Sequence, residues 1–153
     1  MIFIYGVPGS GKTYYSKQLS KKLNVPHVEA DKWVKKKYGT CQAFKLFGPL
    51  NETNAIKGLL AVRGETRENV RKLLAKNESI FEGAFLDPND LTLLGKVILL
   101  VVPDEKQHRK QFYAHREKLL DFSGGEFRAA RMIQDYLITE AKKLGIEILE
   151  KVK

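Results

Sequence analysis

Apolar residues along the chain fall into short continuous runs that alternate with stretches of helical spacing. Ile2-Phe3-Ile4-Tyr5 is such a run, closed by Gly6, and predicts a buried strand. Residues 12–23 place Tyr15, Leu19 and Leu23 on one helical stripe. Residues 26–29 predict a second strand, and 31–38 a helix with Asp31 as its cap. Two helices are predicted over 52–62 and 65–75, parted near Gly64, then a strand over 79–81 closed by Glu82-Gly83. The clearest strand is 96–102, apolar and β-branched between Gly95 and Pro103. Long helices follow over 104–120 and 127–144, Gly145 ends the second, and 146–149 makes a last strand.

Short strands separated by helices predict an α/β fold, a parallel sheet with helices on both faces. In such sheets ligands bind beyond the carboxyl ends of the strands, so chemistry is expected just after each one.

A length of 153 residues suits one domain over 1–153. With 43% hydrophobic and 29% charged residues the chain is neither collagen-like nor wholly disordered. The longest apolar run, 97–102, is far too short to cross a bilayer. The opening residues lack the basic-then-apolar order of a secretory signal, and the single Cys41 cannot make an internal disulfide. A cytoplasmic location without membrane attachment is therefore expected. The net charge of +9 is compatible with nucleic acid, an acidic membrane surface or a small anionic substrate. It is equally compatible with solvated helix faces, the simpler reading of Lys17, Lys21 and Lys22. Lys35-Lys36-Lys37 is denser, yet three lysines are a weak nucleic-acid signal, and such a partner is not favoured.

Gly6-Val7-Pro8-Gly9-Ser10-Gly11-Lys12-Thr13 changes the picture. It matches G-x-x-x-x-G-K-[ST] in full, after a predicted strand and at the start of a predicted helix. The glycines let the backbone curl so that its N–H groups hold phosphate oxygens, and the helix start adds its field. Lys12 would charge-stabilise the β- and γ-phosphates, and the Thr13 hydroxyl would bind Mg²⁺. A nucleoside triphosphate is the expected ligand. A guanine-reading N-K-x-D segment is missing after the fourth strand, where Pro103-Asp104-Glu105-Lys106 stands.

Glu29-Ala30-Asp31 follows the second strand. A carboxylate there could orient an acceptor hydroxyl and take its proton. Asp31 is the candidate, with Glu29 assisting the metal, although Asp31 could also be only a helix cap. Glu82 follows the third strand and could hold a metal-bound water or a substrate hydroxyl, or be a plain surface acid before a glycine turn. The helix after the fourth strand carries Arg109 and Arg116 seven residues apart on one face, where they could cover a transferring phosphoryl group or simply meet solvent. His108 and His115 share that spacing, which does not suit a metal pair. Arg63, Arg67 and Arg71 could hold an anion, but an exposed face laced with ion pairs to Glu65 and Glu68 is the expectation for at least two of them.

The phosphate loop, the acid-x-acid segment and the small size together resemble small P-loop kinases of the shikimate and gluconate kinase type. Ile80-Phe81-Glu82-Gly83-Ala84-Phe85-Leu86-Asp87-Pro88 is similar to the E-G-x-x-x-x-P segment of 2-phosphoglycerate kinase. His108-Arg109 with Phe112 to Arg116 resembles its H-x-x-R-F-x-x-R lid segment, although Gln111 replaces the first arginine and Ala84-Phe85 a histidine-containing turn. Phe127-Arg128, followed by Ile133-Gln134-Asp135-Tyr136-Leu137, is similar to its late helix. The resemblance implies a three-layer α/β/α fold with a five-stranded parallel sheet in the order 2-3-1-4-5 and a lid over about 104–128. It also implies ATP-dependent phosphorylation of a small, hydroxylated, anionic acceptor, with ATP and Mg²⁺ as cofactors. Two alternatives stay open: a nucleoside or polynucleotide 5′-hydroxyl kinase, and a slowly hydrolysing regulatory module.

Overall fold

The computed structural model describes residues 1–33, 41–74, 78–114 and 124–150. Strands β1 (Ile2–Tyr5), β2 (His27–Glu29), β3 (Ile80–Gly83), β4 (Lys96–Val101) and β5 (Glu147–Glu150) form one sheet in the order β2-β3-β1-β4-β5. Every pairing is parallel, with Ile4 opposite Glu82 on one side and Ile98 on the other. The order is the one that the kinase resemblance implies.

Alternation along the strands feeds two cores. Ile4, Ile80, Ile98 and Leu100 face helix α1 (Lys12–Leu23), where Tyr15 and Leu19 meet them. Phe3, Tyr5, Phe81, Leu99 and Val101 point the other way and pack with Leu59 and Val62 of α2 (Glu52–Leu74) and Ile133 and Leu137 of α5 (Gly125–Leu144). Phe3 and Phe81 stack across neighbouring strands at 5.4 Å between ring centroids. Gly145 adopts the left-handed conformation that ends α5, as expected. Lys17, Lys21 and Lys22 all face solvent. Among the described residues no helix is long and apolar enough to cross a membrane.

Three expectations need correction. The predicted break at Gly64 does not occur: α2 runs through it, and space is open where its side chain would be. Burial of Val62, Arg63 and Thr66 holds the helix together at a glycine penalty of about 1 kcal/mol. Asp31 does not open a helix. It lies in a short 3₁₀ turn, Ala30–Trp33, and the rest of the predicted helix, with Lys35 to Lys37, falls outside the described residues. The third strand extends to Gly83, so Glu82 belongs to the sheet. Two elements carried no periodic signal: the 3₁₀ turn Ala43–Leu46 and the short helix α3 (Pro88–Leu91), capped by Asp87.

In the arginine row Arg67 and Arg71 are exposed, as expected for two of the three, and Arg63 is the exception. Arg63 is only 2% exposed and forms a bidentate pair with Glu140 at 2.7 and 3.0 Å. Arg67 bonds Asp87 at 2.9 Å and Asp90 at 2.7 Å. These pairs tie α2 to α3 and α5. Beside them a groove of about 330 Å³, lined in part by Arg67, Arg71, Leu91 and Leu94, shares no residue with the phosphate loop.

Replacing Arg63 by Met strands the Glu140 carboxylate, and urea unfolding should register a loss of about 3 kcal/mol. Burial alone would raise the Asp87 carboxyl, but hydrogen bonds from Asn89 and the Arg63 and Arg67 guanidinium groups hold it below its ordinary 3.8. Its contribution to stability is therefore complete above pH 3.8 and is lost as the pH falls through the lower native value. Acid titration of Asp87→Asn should lack that component.

Candidate active site

The site is built where β1, β2 and β3 end. After Tyr5 the chain turns through the glycine-rich loop, and Ser10 N–H donates to the Val7 carbonyl at 3.2 Å. Gly9 holds φ at +82°. Helix α1 starts at Lys12 with no side-chain cap and no acid in its first turn. Its first N–H groups and positive dipole end are left for an anion. Lys12 is buried in this corner, close enough to act electrostatically on both Glu82 and His108.

Parallel pairing sets Glu82 of β3 beside the loop. Its Oε1 accepts the Thr13 hydroxyl at 2.9 Å, and His27 Nε2 lies 3.6 Å away. Its Oε2 is buried without a hydrogen-bond partner. Burial raises the Glu82 carboxyl above its ordinary value, against the Lys12 charge and the Thr13 hydrogen bond. Thr13 and Glu82 are hard oxygen donors, and a buried oxygen is spare. That set suits Mg²⁺, which takes few protein ligands and fills its octahedron with phosphate and water oxygens. Among the described residues no group of three or more His, Cys, Asp or Glu could hold a metal by itself. Glu29 pairs with Glu82 across the β2–β3 ladder, but its carboxylate meets Lys32 at 3.0 Å, and that hydrogen bond lowers its pKa.

Asp31 comes to the same corner from the turn after β2. Its Oδ1 accepts the Ala84 N–H at 2.9 Å, just past the end of β3. The carboxylate lies over Gly83, where an added Cβ would stand 3.0 Å from Oδ1. Lys12, Thr13, Asp31 and Glu82 are thus brought together. Arg109 is not. On α4 (Glu105–Ala114) its guanidinium lies 4.6 Å from the Phe127 ring centroid and 3.7 Å from Glu105. Arg116 and His115, with residues 115–123 of the expected lid, fall outside the described residues.

Sequence reasoning missed two contributors. The Ala84 amide holds Asp31 through a backbone atom that no residue type advertises. Arg131 reaches the end of β4 from α5, donating to the Val102 carbonyl at 2.7 Å. Only its place on the partly buried face of an amphipathic helix hinted at such a role.

Gly9→Ala would add a Cβ 2.8 Å from the Phe112 backbone at a strained φ. The strain is about 1–3 kcal/mol, and ATP binding measured by calorimetry should weaken about tenfold or more. Gly83→Ala crowds Asp31 and leaves the loop alone, so it should slow turnover with little change in ATP affinity.

No family model matches the chain. A shikimate kinase of Francisella tularensis subsp. novicida (strain U112) is 32% identical over 113 residues, 69% of this chain and 60% of that protein. The corresponding protein of Francisella philomiragia subsp. philomiragia is 31% identical over the same length. The aligned segment therefore spans about three fifths of these relatives. Among solved structures, shikimate kinase from Acinetobacter baumannii in complex with shikimate has a TM-score of 0.64 at 16% identity, covering 99% of this chain and 83% of that one. Deoxyadenosine kinase from M. mycoides with bound dATP has a TM-score of 0.60 at 15% identity, covering 98% and 89%. The phosphate loop and the sheet order agree with these likenesses: the chain has the fold of the small P-loop kinases and is similar in sequence to shikimate kinases over 113 residues.

Proposed function

We propose that the chain transfers the γ-phosphoryl group of ATP·Mg to a hydroxyl of a small, anionic metabolite. The observation that carries this reading is the placement of Asp31, clamped through Oδ1 at the end of β3 next to the Thr13–Glu82 pair. A carboxylate with one oxygen held and its residue exposed can orient an alcohol and accept its proton.

The loop amides and Lys12 hold the triphosphate. Thr13 and Glu82, with Glu29 behind, would hold Mg²⁺, which when bound neutralises charge across the β- and γ-phosphates. The acceptor hydroxyl gives its proton to Asp31 as its oxygen bonds to the γ-phosphorus. The bond from that phosphorus to the bridging oxygen breaks, and ADP leaves with the electron pair. Lys12 stabilises the charge that develops; the same task is proposed for Arg109, which lies on α4 against Phe127, and for Arg116, outside the described residues. Ser10 closes the turn onto the Val7 carbonyl, Pro8 fixes its own φ, and Gly6, Gly9 and Gly11 let the loop curl. The same arrangement would serve a nucleoside or polynucleotide 5′-hydroxyl.

Lys12→Ala should lower phosphoryl transfer at least about 100-fold. Asp31→Asn should cut kcat by about 100-fold or more while ATP binding holds; equal loss of both would make Asp31 structural. An ATP-consumption screen over shikimate, phosphorylated acids such as 2-phosphoglycerate, sugars, nucleosides and RNA ends identifies the acceptor class. Tight ATP binding without any acceptor dependence would instead mark a regulatory module. Transfer to RNA ends that weakens steeply with salt would mark the polynucleotide alternative.

A further inference from the structure

One histidine joins the outer side of the phosphate loop to the two helices behind it. His108 is fully buried on α4, while its neighbours Arg109 and Lys110 are exposed. Its Nε2 lies 2.9 Å from the Pro8 carbonyl oxygen, and its Nδ1 3.2 Å from Arg131 Nη1. A carbonyl can only accept and a guanidinium can only donate. The imidazole is therefore neutral, with its proton on Nε2 and its lone pair on Nδ1. Arg131 is itself held by the Val102 carbonyl at 2.7 Å and the Pro103 carbonyl at 3.0 Å. The rings of Phe127 and Phe112 pack on the imidazole at 5.0 and 6.2 Å between centroids. Burial, together with the Arg131 and Lys12 charges, lowers the His108 pKa against the pull of Pro8, which agrees with the neutral form.

The geometry has a consequence for the nucleotide. A phosphate loop works only if its N–H groups turn inward, which turns its carbonyls outward. Pro8 C=O and Gly9 N–H belong to one trans peptide plane and point in opposite directions. Fixing the carbonyl outward aims the amide inward. Gly9 also lies so close to α4 that a Cβ would stand 2.8 Å from the Phe112 α-carbon.

We propose that His108 is a positioning residue for the phosphate loop, its Nε2–H holding the Pro8–Gly9 peptide so that the Gly9 amide faces the nucleotide phosphates, with Arg131 fixing the imidazole tautomer. The inference rests on the kinase reading above. Two variants of the full chain separate the bond to the loop from the bond to Arg131. His108→Gln can place an amide donor near the position of Nε2. His108→Asn can still accept from Arg131 but is too short to reach Pro8. With both folded by thermal unfolding, ATP·Mg affinity is read by calorimetry. H108N should bind about tenfold more weakly than wild type, the effect of about 1.4 kcal/mol for one unsatisfied carbonyl. H108Q should stay within about threefold of wild type. Should H108N fail to fold, His108→Leu, which fills the space without a hydrogen bond, takes its place with the same expectation. Wild-type affinity in H108N, or equal weakening in H108N and H108Q, overturns the inference and leaves the kinase reading standing. No ATP binding by the wild-type chain overturns both.

Discussion

Parallel pairing of β1 with β3 and β4 is the constraint on which the site depends. The pairing puts Tyr5 level with Gly83 and Leu99, so the loop that leaves β1 emerges beside the last residues of β3. Thr13 and Glu82 are 69 positions apart in the chain and meet at 2.9 Å. Asp31 and Ala84 are 53 apart and meet at the same distance. Shifting β3 by one residue would send Glu82 to the opposite face and leave Thr13 facing a glycine or a phenylalanine. The core and the chemistry therefore share one register, which Ile4, Ile80 and Ile98 on one face and Phe3 and Phe81 on the other hold in place.

What could be read from the chain alone follows from whether a residue's partner is near in sequence. The phosphate loop is local: its glycines, Lys12 and Thr13 lie within eight residues, and their spacing carries the geometry. The strands were legible because a sheet covered on both faces demands continuous apolar runs. Arg63 misled because its acids come from α3 and α5, and helical spacing suggested its neighbours Glu65 and Glu68 instead. Asp31 is expected near the phosphate loop from its place after β2, but the partner that holds it there is a backbone amide, which no residue type advertises. Gly64 suggests a break because composition does not reveal that burial of its neighbours Val62, Arg63 and Thr66 outweighs a poor helix former.

The two faces of the sheet divide the labour. On one side α1 delivers Lys12 and Thr13 to the strand ends. On the other, α5 sends Arg131 to the end of β4 and Glu140 to Arg63, bracing α4 and α2 from one helix. The long α5, with nine buried residues, is thereby a beam that both the phosphate loop, through Arg131 and His108, and α2, through Glu140, lean on.

The clamp on Asp31 also has a stereochemical consequence. A free carboxylate has two equivalent oxygens and can meet a hydroxyl from either side. With Oδ1 committed to the Ala84 amide, that symmetry is gone, and under the proposed transfer a single oxygen on a single bearing would be left to meet an alcohol. Among several hydroxyls on a polyol, only the one that reaches this bearing in line with the phosphorus would be modified. Regioselectivity would then be written into the peptide backbone after β3, before any side chain has touched the acceptor.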